Sequence, residues 1–73
     1  MTANFMDKQS IIDIGEELFR LRRTKHLFLY QVSKQTGIPV KDIEGMEIGR
    51  YVKFGNLRTL SRYYGRKIRI SLD

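Results

Sequence analysis

A mainly helical single domain with one strand at its C-terminus is the fold class this sequence predicts, and three features carry that expectation. Apolar residues recur at spacings of three and four through most of the chain, glycines follow the periodic stretches, and the last residues switch to strict alternation. With 73 residues and no cysteine, the chain makes one domain that buries only ~60% of the surface its unfolded form exposes. Stability is therefore expected to draw on a partner, most simply a second copy of the chain.

Residues 1–10 lack periodicity and are expected to form a flexible arm, with Ser10 or Asp13 capping the first helix. Ile11, Ile14, Leu18 and Leu21 then build one apolar stripe and predict that helix over residues 11–24. Its acids, Glu16 and Glu17, come early and its bases, Arg20, Arg22 and Arg23, come late, as the helix dipole prefers. Lys25 and His26 make the turn. A short second helix over 29–36 turns Val32 inward and stops at Gly37, where a left-handed backbone carries little strain. Pro39 suits the start of a third helix over 39–46, whose Ile43 and Met46 face the core before Gly49 ends it. After the basic loop 50–53, Phe54, Leu57, Leu60 and Tyr64 space a fourth helix over 54–64, stopped by Gly65. Phe19, Phe28, Tyr30 and Phe54 are expected in the core. Of the adjacent Tyr63 and Tyr64 only one can point inward, which leaves Tyr63 for solvent or a dimer seam.

From Lys67 to Leu72 the chain alternates polar and apolar at every step, the pattern of a half-buried strand. A lone strand has nothing to pair with, and burying Ile68, Ile70 and Leu72 contributes roughly 1.5–3 kcal/mol each. The expectation is a two-fold homodimer in which two tails pair antiparallel. The chain thus divides into an arm (1–10), a helical body (11–65) and a dimerisation strand (66–73).

Charge is unevenly placed. Residues 1–47 carry seven Lys or Arg and seven Asp or Glu, whereas residues 48–73 carry seven bases against Asp73 alone, so the net +6 lies in the last third. Such a field draws polyanions: nucleic acid first, an acidic protein second, an anionic membrane surface third. No apolar run approaches the ~20 residues of a membrane span, and the N-terminus does not read as a secretory signal, so the expected compartment is cytoplasmic. His26 stands alone without cysteine or a second histidine, which argues against a metal site. Glu16 and Glu17 diverge on a helix, the serines have no His/Asp constellation, and there is no glycine-rich phosphate loop. Neither enzyme chemistry nor a cofactor is expected.

The stretch 15–65 resembles the lambda-repressor/Cro-type (XRE) helix-turn-helix family. Residues 32–38 (VSKQTGI) match its apolar–small–x–x–x–Gly–apolar turn, with Ser33 as the small residue. Ile43 and Met46 fall on the inward positions of its recognition helix, and Glu47 followed by Gly49 matches its Glu-x-Gly ending. Leu57, Leu60, Ser61, Tyr64 and Gly65 are similar to its last conserved helix, and the alternating tail is similar to the β-strand of its antitoxin branch. The resemblance implies a lambda-repressor-like domain of four to five helices and a structural ion pair between Arg22 and Glu47. It further implies a homodimeric, sequence-specific regulator of transcription, a repressor or an antitoxin, that binds double-stranded DNA. A toxin is the further partner it suggests, and the basic last third suits another acidic protein.

Two departures qualify the match. Where the family begins its second helix with Ser or Thr and then Gln, this chain has Phe28 and Leu29, whose side chains can neither cap nor contact a phosphate. The outward positions of the third helix are Val40, Lys41, Asp42, Glu44 and Gly45, an unusually acidic set. Base-reading candidates are Lys41 as a donor, Glu44 accepting from a cytosine amine, and Val40 meeting a thymine methyl. Phosphate candidates are Arg50, Tyr51 and Lys53 in the loop after that helix. Arg58, Arg62 and Arg66 form a row that either tracks phosphates or is a solvated face or a patch for an acidic partner. The competing expectation is a protein-interaction module on a helix-turn-helix scaffold that no longer reads DNA, consistent with Phe28, Leu29, Asp42 and Glu44.

Overall fold

The computed structural model describes residues 7–65, which form four helices, α1 (Lys8–Thr24), α2 (Leu29–Thr36), α3 (Val40–Glu47) and α4 (Phe54–Tyr64), with no strand among them. Residues 1–6 and the expected strand 66–73, with Ile68, Ile70, Leu72 and the pairing of two copies, lie outside the described residues. Helix α1 packs on α3 and α4, and α2 packs on the same two helices. None of the described helices is long and apolar enough to cross a membrane.

Helix α1 starts at Lys8, three residues earlier than its apolar stripe. The carboxylate of Asp7 accepts from the Ser10 amide at 2.7 Å and fixes the N-terminus, so neither Ser10 nor Asp13 caps it. The stripe reports only the face that packs; the first turn is polar and solvated, and the cap decides where it begins. That same amide bond holds the Asp7 carboxyl below its ordinary range. Ile14, Leu18 and Leu21 are buried along the helix, with Ile11 half-buried at the stripe's start.

The short helices are punctuated by backbone geometry. Phe28 stands at the N-cap of α2 with a ring that offers no acceptor, so only half of a capping box forms: Gln31 Oε1 accepts from the Phe28 amide at 2.7 Å. Gly37 closes α2 at φ 80° and donates to the Ser33 carbonyl at 2.8 Å. Pro39 is the N-cap of α3, one position outside the helix, and its carbonyl accepts from the amides of Asp42 and Ile43.

Among the described residues, ten apolar ones make one core: Ile14, Leu18, Leu21, Val32, Ile38, Ile43, Met46, Leu57, Leu60 and Tyr64. The expected core aromatics do not join it. Phe19, Phe28, Tyr30 and Phe54 are all exposed, by 42%, 71%, 64% and 47%. Each sits off the buried stripe of its helix or at a helix start, and position on the helix, rather than apolar character, sets burial. Phe19 lies instead under two cations, with the Arg22 and Arg23 guanidinium carbons 5.5 and 5.4 Å from its ring centroid. Tyr63, expected at solvent or a dimer seam, is instead half-buried against the core, and its hydroxyl donates to Gln35 Oε1 of α2 at 2.6 Å.

Helix α1 lies close against the end of α3 at Gly15. A Cβ there would overlap the Met46 carbonyl oxygen and stand 2.8 Å from that of Glu47, so a residue with no side chain lets α1 lie on the end of α3. Further along α1, Arg22 ties the same two helices: Nε donates to Glu47 Oε2 at 2.8 Å, Nη2 to Oε1 at 2.9 Å, and Nη1 to the Leu27 carbonyl at 2.9 Å. The pair is nearly dry, with side chains 11% and 4% exposed. The bidentate bond outweighs the loss of solvation and raises the Arg22 pKa further.

Candidate nucleic-acid interface

The exposed side of α3 presents Val40, Lys41 and Glu44, followed by Ile48 at its C-cap, which is 59% exposed. Lys41, Glu44, Gly45, Ile48, Arg50 and Tyr51 line one concavity of about 340 Å³. Two base-reading candidates, Lys41 and Glu44, and two phosphate candidates, Arg50 and Tyr51, are thereby brought to a single surface. Val40 and Lys53 do not line it. Ile48 escaped the sequence reading although its spacing, four residues beyond Glu44 and eight beyond Val40, puts it on the same side of the helix.

Asp42 is not an outward residue. It is 8% exposed, because the loop after α3 folds back across it. Tyr51 Oη donates to Asp42 Oδ1 at 3.1 Å and lies 3.4 Å from the Lys41 carbonyl, while Lys53 Nζ pairs with Asp42 Oδ2 at 3.2 Å. Gly45 is likewise covered, by the Tyr51 ring. Helical spacing had put both on the outward face, and that face is correct for an isolated helix; the loop beyond α3 covers part of it.

These contacts set the local electrostatics. Burial pushes the Asp42 carboxyl up, but its bonds to Lys53 and Tyr51 prevail and hold it below the ordinary carboxylate range. Burial, then the neighbouring Asp42 carboxylate, pushes the Tyr51 hydroxyl up, so it remains a donor at neutral pH. Lys53 Nζ also stands 5.7 Å from the Tyr51 ring centroid. Lys53 therefore has its charge answered within the fold, whereas Arg50 is exposed and has no carboxylate partner among the described residues.

A second concavity, of about 360 Å³, lies at the corner between α1 and α2 and is lined by Arg22, Arg23, His26, Leu27 and Phe28. His26 takes a left-handed φ of 56° there. Arg58 and Arg62 are exposed on α4, and Arg66 lies outside the described residues. No family model matches the chain, and no curated protein or solved structure matches it either.

Proposed function

We propose that the protein is a cytoplasmic, homodimeric DNA-binding regulator of transcription, of repressor or antitoxin type, whose third helix enters the major groove. The observation that carries this reading is the shared surface of Lys41, Glu44, Arg50 and Tyr51. A helix of this kind can offer a cationic donor and a carboxylate to base edges while the adjoining loop meets the sugar–phosphate backbone. Val40 and Ile48 extend that face with groups suited to thymine methyls. The resemblance of residues 15–65 to the lambda-repressor/Cro-type family and the +6 charge of residues 48–73 support the same conclusion. In the dimer, residues 66–73 of two copies pair and set half-sites about one helical turn (~34 Å) apart.

Binding to random and selected duplexes over a salt series tests the reading. Arg50→Ala flattens the slope of log K against log[salt] by about 1; an unchanged slope removes Arg50 from the contact. Deleting residues 66–73 gives a monomer by sedimentation, and an unchanged mass refutes the paired tails.

A second reading, a protein-interaction module on this scaffold, is favoured by one observation: Phe28 is 71% exposed at a helix cap that its side chain does not satisfy. Failure of micromolar protein to shift any duplex at low salt decides for that module.

A further inference from the structure

A carboxylate on a helix meant to lie against DNA is an electrostatic liability, since every nearby phosphate repels it. At Asp42 the fold converts that liability into an anchor. Both oxygens are engaged from the loop after the helix, Oδ1 by the Tyr51 hydroxyl and Oδ2 by the Lys53 ammonium. The Tyr51 ring then lies flush on α3, because residue 45 has no side chain to hold it off. Three residues from one helix and loop (Asp42, Gly45, Tyr51) thus form a strap with Lys53 as its fourth member.

We propose that Asp42 is a positioning residue that sets how much of the loop's charge reaches DNA: it fixes Tyr51 against α3, retains Lys53, and leaves Arg50 as the cation that grips phosphate. This rests on the DNA-binding reading and deepens it. Sequence-independent affinity grows with each phosphate neutralised, whereas discrimination grows with the gap between specific and non-specific binding. Withholding one cation from the backbone weakens binding about uniformly across sequences and leaves base contacts from Lys41 and Glu44 untouched. Asp42 therefore sets how much of the binding energy, and of its salt dependence, the backbone supplies.

The charged groups around the strap are few. Lys41, on the same helix, and Lys53, on the loop, face Asp42, whereas Arg50 faces Tyr51. Replacing Asp42 by Asn keeps an acceptor for Tyr51 but removes the charge that holds Lys53, which frees the ammonium for phosphate.

The test is binding of a random-sequence duplex by the full chain across a salt series. Asp42→Asn steepens the salt slope by about 0.9 and tightens non-specific binding about five- to tenfold at 0.1 M salt. Adding Lys53→Ala to that variant returns the slope to the wild-type value. If the steeper slope survives the second substitution, Asp42 acts by direct repulsion and the proposal is overturned; weaker binding with an unchanged slope overturns it too, as the mark of a purely structural role. Backbone ¹⁵N relaxation without DNA supplies the independent arm. Residues 50–53 are as ordered as α3 in the wild type and gain fast motion in Asp42→Asn and in Tyr51→Phe; unchanged relaxation in both refutes the positioning role. A wild-type protein that leaves duplex unshifted sinks the DNA-binding reading instead, and the relaxation arm still decides whether Asp42 holds the loop.

Discussion

The Tyr51 ring occupies the space that a side chain at position 45 needs: a Cβ on Gly45 would stand 2.6 Å from Cζ and Oη of Tyr51. A glycine inside an eight-residue helix is otherwise a poor choice, costing about 1 kcal/mol relative to alanine. Geometry gives it a use here: a bare α3 surface lets the Tyr51 hydroxyl reach Asp42.

Gly45→Ala sets these two effects against each other. The added methyl favours the helix and displaces the far end of one side chain, so global stability is expected to change by less than about 1 kcal/mol. In a Tyr51→Ala background the conflict is gone, and Gly45→Ala then stabilises by up to about 1 kcal/mol. Urea midpoints for the four proteins of this cycle measure the coupling.

Gly15 is less forgiving. Its missing Cβ faces the backbone carbonyls of Met46 and Glu47, which cannot rotate aside as a side chain can. Gly15→Ala forces α1 away from α3 and is expected to destabilise by about 2–3 kcal/mol, read from chemical denaturation with an unchanged m-value.

The ion pair between Arg22 and Glu47 tests differently. Glu47→Gln leaves a nearly dry guanidinium without its counter-charge and is expected to cost about 3 kcal/mol. Arg22→Met with Glu47→Leu costs less than the sum of the single changes, because the uncompensated charge is gone. Additive losses would show that the two side chains do not act as a unit.

Tyr64 provides an alkaline signature. Its ring is buried, and its hydroxyl has no hydrogen-bond partner among the described residues. Burial first, then Glu47, pushes the phenol up to about 12 from the ordinary value near 10. The unfolded chain ionises first as pH rises, so stability is full below about 10 and is lost as pH climbs towards 12. Tyr64→Phe removes that limb from the pH–stability curve and, by deleting an unpaired buried hydroxyl, stabilises at neutral pH by about 1 kcal/mol.

At the other end of the scale, Asp42 has a lowered folded pKa. Its contribution is present above the unfolded carboxylate range and disappears as pH falls through the folded value. Acid unfolding of Asp42→Asn is therefore shallower than that of the wild type; identical acid limbs would mean that the contacts with Lys53 and Tyr51 do not persist in solution.

The amino-acid order by itself determined the four described helices and where α2 and α4 stop, but not where α1 begins. Spacings of three and four at Ile14, Leu18 and Leu21, or at Leu57, Leu60 and Tyr64, record which face each helix packs, and Gly37 and Gly65 stop their helices because an αL backbone is least strained without a Cβ. It also placed Lys41, Glu44 and Arg50 close enough along the chain to share a surface. What periodicity could not reveal is which outward positions a distant or adjoining segment covers. Asp42 and Gly45 became interior only when the loop carrying Tyr51 and Lys53 folded back, and Gly15 became indispensable only because α1 and the end of α3, about thirty residues apart, meet there. Phe28 and Tyr30 stayed outside for the converse reason: no element among the described residues comes to cover them. Local spacing encodes a direction from the helix axis; whether that direction leads to water, to a neighbouring carboxylate or to another backbone is settled only by tertiary packing.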